Sequence, residues 1–220
     1  MDLKDLENKI NYSFKNKDLL LKALTHSSFS KDNYENLEFL GDSILGFVVA
    51  EYLLKNFDLN EGDMSKTRAK IVSAQNLCKV ANNIEIKQFL RLGNSYKNMQ
   101  ISYNILADVI ESIIAGIYLD GGLLYARKFV MDFIIISYEN ITNIINSTID
   151  FKTLLQEKIQ QTGTNLIEYV TIAQEGKSND VLFTVELKIN GISYAVENGK
   201  SKHEAEQKCA KNALTKIKEN

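Results

Sequence analysis

Glu35, Glu38 and Asp42 open a run whose other members are mostly apolar: Leu37, Phe39 and Leu40, then Ile44-Leu45-Gly46-Phe47-Val48-Val49-Ala50. No Pro interrupts it, and it is long enough for a buried helix. On a helix the three acids fall at i, i+3 and i+7 and project from one face. Ionised carboxylates among apolar neighbours are costly unless something cationic meets them. No Lys or Arg occurs between Tyr34 and Leu54, so a bound divalent cation is the obvious partner. An exposed acidic first turn, favoured by the helix dipole, would explain Glu35 equally well. It suits Glu38 and Asp42, inside the apolar run, much less.

A second stretch, Ile105 to Leu119, is apolar nearly all round, and before Tyr118 its only ionisable residues are Asp108 and Glu111. A helix apolar on every side is buried. Side by side, two such helices would place Glu38, Asp42, Asp108 and Glu111 in one pocket. An all-oxygen ligand set without Cys or His suits Mg²⁺, with Mn²⁺ as a possible substitute, better than zinc. A di-iron carboxylate bundle would need Glu-x-x-His on two helices. Gly41 and Ile114 stand where those histidines would be.

The elements that must position these acids read as helices. Leu3, Leu6 and Ile10 give one apolar stripe, and Leu19, Leu20, Ala23 and Leu24 a second. Residues 28–34 are polar and loop-like, with Asn33 able to cap the first acidic helix, which should run to about Asn56. A connection through Asn60 and Gly62 leads to a helix with Asp63 as the expected N-cap. That helix carries Lys66, Arg68 and Lys70, which suit phosphate contacts or a solvated face. Helix continues through about residue 90 with a break near Asn82-Asn83, and a polar loop covers 91–100. The second acidic helix should stop before Asp120-Gly121-Gly122, and a last helix should span about 123–145. Residues 1–145 are therefore expected to form an all-α domain, with 146–149 as linker.

From residue 150 to 220 the periodicity changes. Phe151, Leu154, Leu155 and Ile159 have helical spacing up to Gly163. Ile167, Tyr169 and Thr171 alternate like a strand, as do Val181, Phe183, Val185, Leu187 and Ile189. Asn190-Gly191 is a strong hairpin signal before a strand over 192–197. A final helix follows, with Ala205, Cys209, Ala213, Leu214 and Ile217 on one face. The order is α-β-β-β-α. Lys200, Lys202 and His203 stand where the last helix begins, a place where amides and cations both attract phosphate.

The net charge of −2 and pI near 5.8 give no general affinity for nucleic acid. After residue 149 ten basic residues balance ten acidic ones, so any RNA binding must come from local clustering. The charged N-terminus lacks the apolar core of a signal peptide. No uncharged apolar run reaches the roughly 18 residues of a membrane helix. With two Cys in different domains, a reducing cytoplasm and no membrane association are expected.

These motifs resemble the ribonuclease III family, at Glu35 and Leu37 to Ser43, at Leu106-Ala107-Asp108 with Glu111, at Ala23 to Ser28 and at Glu61 to Lys66. Asn36 departs from the basic residue usual there. The C-terminal part resembles the double-stranded-RNA-binding domain. The resemblance implies an all-α endonuclease domain followed by a small α+β module, acting as a metal-dependent endoribonuclease on double-stranded RNA. It implies 5′-phosphate and 3′-hydroxyl products and a role in processing ribosomal RNA precursors and other structured transcripts. It implies a homodimer anchored by Phe39, metal ligation by Glu38, Asp42, Asp108 and Glu111, with Asp42 and Glu111 catalytic, and an accessory acidic cluster of Glu35 and Glu61. His26 by itself reads as a core-edge histidine that hydrogen-bonds locally, while its block lies near the substrate-facing surface in the family, which would give it an RNA contact. Gln156 and Glu157 on the first helix of the module would face the minor groove, with Lys200, Lys202 and His203 on phosphate. His203 replaces a usual basic residue and Asn179 a usual His. A non-enzymatic RNA-binding protein with a degenerate nuclease domain is the rival reading, and it predicts loss of the acids, all of which are present.

Overall fold

The computed structural model describes residues 2–96, 100–135, 141–161, 163, 166–176 and 181–219. The chain divides into two units, residues 1–148 and 149–220.

The first unit is helical: α1 (Leu3–Lys9), α2 (Lys17–Ala23), α3 (Glu35–Asn56), α4 (Glu61–Ile71), α5 (Ala74–Asn83), α6 (Tyr103–Gly121), α7 (Leu123–Phe129) and α8 (Ile141–Thr148). Its centre is the pair α3 and α6. From α3 come the buried Leu37, Ile44, Leu45, Val48, Val49 and Leu53, and α6 is buried along Leu106, Val109, Ile110, Ile113, Ile114 and Ile117. The i, i+3, i+4, i+7 spacing of these residues drives the two helices together through removal of apolar area from water. Gly41 sets how near they come. A Cβ at Gly41 would stand 1.8 Å from the Glu111 carbonyl oxygen, so only hydrogen fits there. The opposite side of α3 leaves Phe39 79% exposed, with Phe47 and Leu54 also exposed.

Several boundaries differ from the sequence reading. α3 starts at Glu35 with Tyr34 as its N-cap, and Asn33, the expected cap, stands one residue earlier and accepts the Glu35 N–H at 2.9 Å in an Asx turn. α4 starts two residues before the expected N-cap. Asn60 is the cap: its Oδ1 accepts the Asp63 N–H at 2.8 Å and its Nδ2 donates to Asp63 Oδ2 at 2.9 Å. Asp63 therefore sits inside the first turn, and its carboxylate accepts a hydrogen bond from the cap's side-chain amide. α6 runs on through Asp120 because that carboxylate is fastened by Tyr12 Oη and by the N–H groups of Lys15 and Asn16. Gly122, with φ +89°, then ends it. The expected helix over 123–145 is α7 followed by a π-helical segment at residues 130–135, while 136–140 lie outside the described residues. The stretch 146–148 forms the last turn of α8 rather than linker. Ile141, Ile144 and Ile145 are buried at helical spacing and carry the helix onward.

The second unit comprises α9 (Phe151–Gln161), β1 (Ile167–Glu175), β2 (Leu182–Ile189), β3 (Ile192–Gly199) and α10 (Lys202–Glu219). The sheet is antiparallel in the order β1-β2-β3. Tyr169 pairs Leu187, and Leu187 pairs Ala195, which sets one face toward the helices. That face meets Leu155, Ile159, Ala205, Cys209 and Ala213 in the core of the unit. A register shift between Thr171 and Ala173 leaves Ile172 as an extra, exposed residue. Asn190 at φ +52° and Gly191 at φ +79° close the β2–β3 hairpin, the positive pair that a two-residue primed turn requires. β3 extends two residues beyond the expected end, with Gly199 pairing Phe183.

Gly41→Ala is expected to destabilise the protein by about 1–3 kcal/mol or more, as overpacking does. A lower urea midpoint would register it. An unchanged midpoint would mean that α3 and α6 do not need this contact.

Candidate active site

The α3–α6 contact brings acids of the two helices together. Carboxylate oxygens of Glu38, Asp108 and Glu111 all lie within 4.8 Å of one another. Glu38 is on the first turn of α3, while Asp108 and Glu111 are one turn apart on α6. Each is partly buried. Asp42, one turn beyond Glu38, is exposed and lies outside that group of three. Its charge still acts on both Glu38 and Glu111.

The electrostatics are those of uncompensated anions. Burial, then the neighbouring charges of Asp42, Asp108 and Glu38, push the Glu111 carboxyl up to about 8. Burial also raises Glu38, with Asp108, Glu35 and Asp42 adding to it. Asp108 is raised by burial, against opposing effects of the Tyr34 hydroxyl and the His26 charge. Among the described residues, none of these acids forms an ion pair with Lys, Arg or His, although nine such pairs occur elsewhere. Clustered carboxylates with no cationic partner fit a divalent cation held by oxygen alone.

Glu35 is exposed at the start of α3, and its charge reaches Glu38 and Tyr34. Glu61 is exposed at the start of α4 and accepts from Ser65 Oγ. The 22 residues of α3 span about 32 Å, and the five-residue step from Asn56 to Glu61 returns at most about 18 Å. The two accessory acids therefore do not meet within one chain. Lys66, Arg68 and Lys70 are exposed on α4.

Sequence reasoning places Tyr34 in a loop and gives it no role in the site. In the structure its hydroxyl donates to Asp108 Oδ2 at 3.3 Å. The one signal for it is its position, one residue before the acidic helix. The His26 ring packs edge-on against Tyr34, with centroids 5.7 Å apart.

In the second unit, Gln156 and Glu157 are exposed on α9, and Lys200, Lys202 and His203 are exposed where α10 begins. Ser201 Oγ accepts the Glu204 N–H at 3.1 Å and caps that helix. The acids nearby are engaged internally. Glu204 binds Lys208 Nζ at 2.7 Å and the Lys200 N–H at 2.9 Å, and Glu206 binds Lys152 Nζ at 2.6 Å. Hydrogen bonding to Lys208 and then to Lys200 holds the Glu204 carboxyl below its ordinary range. Asn179 lies outside the described residues. Among the described residues, no helix is long and apolar enough to cross a membrane.

Comparison with known proteins agrees with this two-part construction. Residues 16–138 match the model described as ribonuclease-III-like, and residues 151–217 match the double-stranded RNA binding motif. A protein named Ribonuclease 3 from Caldanaerobacter subterraneus subsp. tengcongensis is 42% identical over 96% of each chain. Its namesake from Clostridium tetani is 40% identical over the whole of this chain and 97% of its own. A solved nuclease domain of ribonuclease III from Campylobacter jejuni matches with a TM-score of 0.61 at 38% identity, covering 63% of this chain and 99% of its own.

The raised Glu111 carboxyl sets a pH dependence for the metal-free protein. A carboxyl whose folded value lies above its unfolded one stabilises the fold most below the unfolded value and loses that contribution as pH rises through the folded one. In EDTA the melting temperature should therefore fall as pH rises from about 4.5 to about 8. Glu111→Gln should flatten this slope. An equal slope in the variant would show that Glu111 is not coupled to its neighbours.

Proposed function

The chain belongs to the ribonuclease III family, and from that premise we propose that it hydrolyses double-stranded RNA at the acid cluster of α3 and α6. The convergence of Glu38, Asp108 and Glu111, with no ion-pair partner among the described residues, carries this reading. Glu38, Asp42, Asp108 and Glu111 would hold Mg²⁺, with Mn²⁺ as a substitute, because their ligand atoms are all hard oxygens. Bound divalent ions supply Lewis-acid chemistry, activating water and stabilising the leaving oxygen. The carboxylates bind and orient. Alone they would repel a phosphodiester, so the cluster depends on cations to become a phosphate site. Asp42 and Glu111, one from each helix, are proposed as the catalytic acids, as the family resemblance implies. Attack of water on phosphorus with loss of the 3′ oxygen leaves 5′-phosphate and 3′-hydroxyl ends.

Gln156 and Glu157 on α9, with Lys200, Lys202 and His203 at the start of α10, form the proposed RNA face of the second unit. Such a module reads A-form shape through 2′-hydroxyls and phosphates. Internal pairing of Glu204 and Glu206 supports this reading, because it reduces the repulsion those acids would exert on RNA. We further propose a homodimer through α3, with Phe39 as its anchor. The exposure of that ring supports it. So does the likeness to the Campylobacter jejuni nuclease domain, which has a region involved in dimer formation. A second copy would also let Glu35 of one chain approach Glu61 of the other. Processing of ribosomal RNA precursors and other structured transcripts in the cytoplasm is the proposed setting.

Glu111→Gln is expected to bind duplex RNA as the unaltered protein does and to lose cleavage in Mg²⁺, read by gel shift and by a cleavage assay on the same duplex. Normal cutting would remove Glu111 from the site. Lys202→Ala should weaken binding about equally for duplexes of different sequence and reduce the salt slope by about one. If binding and its salt dependence stay the same, Lys202 does not touch phosphate.

A further inference from the structure

Tyr34 connects both helices of the acid cluster. Its hydroxyl donates to Asp108 Oδ2 on α6. Its carbonyl accepts the N–H groups of Leu37 and Glu38 at 2.8 and 2.9 Å, at the start of α3. Its own N–H donates to the Thr25 carbonyl at 2.9 Å. The residue is 4% exposed, so the phenol has little room to swing away. His26 buttresses the ring from one side. His26 is itself fixed by the Ser28 N–H, which donates to Nδ1 at 3.0 Å, and by Tyr96, whose ring centroid is 5.1 Å away. On α6, Ser112 Oγ donates to the Asp108 carbonyl at 2.7 Å and lies 3.4 Å from the Tyr34 carbonyl.

Among the described residues, the Tyr34 hydroxyl is the only side-chain donor to any of Glu38, Asp42, Asp108 and Glu111. A buried phenol needs a hydrogen-bond partner. Here the partner is one carboxylate of a repelling cluster. An isolated carboxylate among like charges would rotate or shift to increase its distance from them. A neutral donor on one oxygen opposes that rotation without adding charge.

We propose that Tyr34 is a positioning residue for the metal site: by holding Asp108 Oδ2 it fixes that carboxylate facing Glu38 and Glu111, and so sets the affinity of the cluster for divalent ions. This rests on the reading of the cluster as a metal site. Hydrogen-bond partners of metal ligands act in this way, restricting the ligand to its binding orientation before the ion arrives. The Tyr34 backbone adds a second effect, because the same residue holds the first turn that carries Glu38.

Tyr34→Phe in the full chain keeps the ring and removes the hydroxyl. Mn²⁺ affinity is measured by calorimetry without RNA, and the Mg²⁺ dependence of duplex cleavage is measured separately. The expected result is roughly a 10-fold or larger loss of Mn²⁺ affinity, with half-maximal cleavage moved to correspondingly higher Mg²⁺. Cleavage at saturating Mg²⁺ and duplex binding in EDTA should change far less, which a general folding defect would not produce. In an Asp108→Asn background the same change should have little further effect on Mn²⁺ affinity. The proposal is overturned if the unaltered protein takes up Mn²⁺ and Tyr34→Phe does so equally well, or if its effect is the same with and without Asp108. Absence of Mn²⁺ uptake by the unaltered protein would instead sink the metal-site reading, and this proposal with it.

Discussion

Close approach of α3 to α6 at Gly41 is the constraint on which the rest of the first unit depends. Each helix is driven inward by its aliphatic residues, and the distance between them is set where Gly41 meets the Glu111 backbone. That contact has an electrostatic cost. It brings Glu38 of one helix against Asp108 and Glu111 of the other, and burial raises all three carboxyls above their ordinary range, with neighbouring charges adding to the rise at Glu38 and Glu111. The apolar packing must therefore overcome like-charge repulsion and partial desolvation. This is local frustration of a kind that functional sites carry.

The surroundings manage the repulsion without neutralising it. Among the described residues no Lys or Arg pairs with the cluster, whereas Glu7, Glu51 and Asp132 elsewhere in the first unit all have cationic partners. A lysine beside Glu111 would stabilise the metal-free fold and compete with a divalent ion. The neutral Tyr34 hydroxyl orients Asp108 without cancelling the negative potential. The second unit follows the opposite rule. There Glu204 and Glu206 are paired internally while Lys200, Lys202 and His203 face solvent. One unit concentrates negative charge where two helices meet, and the other leaves positive charge where a helix begins.

Much of this is legible from residue order. Glu38 with Asp42, and Asp108 with Glu111, stand in apolar runs at helical spacing, and that alone locates both acidic helices and their buried faces. Alternation and Asn190-Gly191 locate the strands and the hairpin. Boundaries are harder where long-range contacts decide them. α6 continues through Asp120 because Tyr12 and the backbone near Lys15 bind that side chain from more than a hundred positions away. Asn60 rather than Asp63 caps α4, since either residue type can cap and only the path of the chain selects one. α8 extends through 146–148 because its isoleucines find a core to enter.

The chain by itself determined which residues are acidic, which helices carry them, and that no nearby cation balances the first set, because composition and period are local properties. Only the tertiary structure decided that Glu38, Asp108 and Glu111 converge while Asp42 stands outside the group, that Glu35 and Glu61 are held apart within one chain, and that Tyr34 reaches Asp108. Those facts depend on how closely two helices approach and on which turn faces which. The approach is set by a missing Cβ at Gly41, whose consequence appears only when Glu111, seventy residues later, is packed against it.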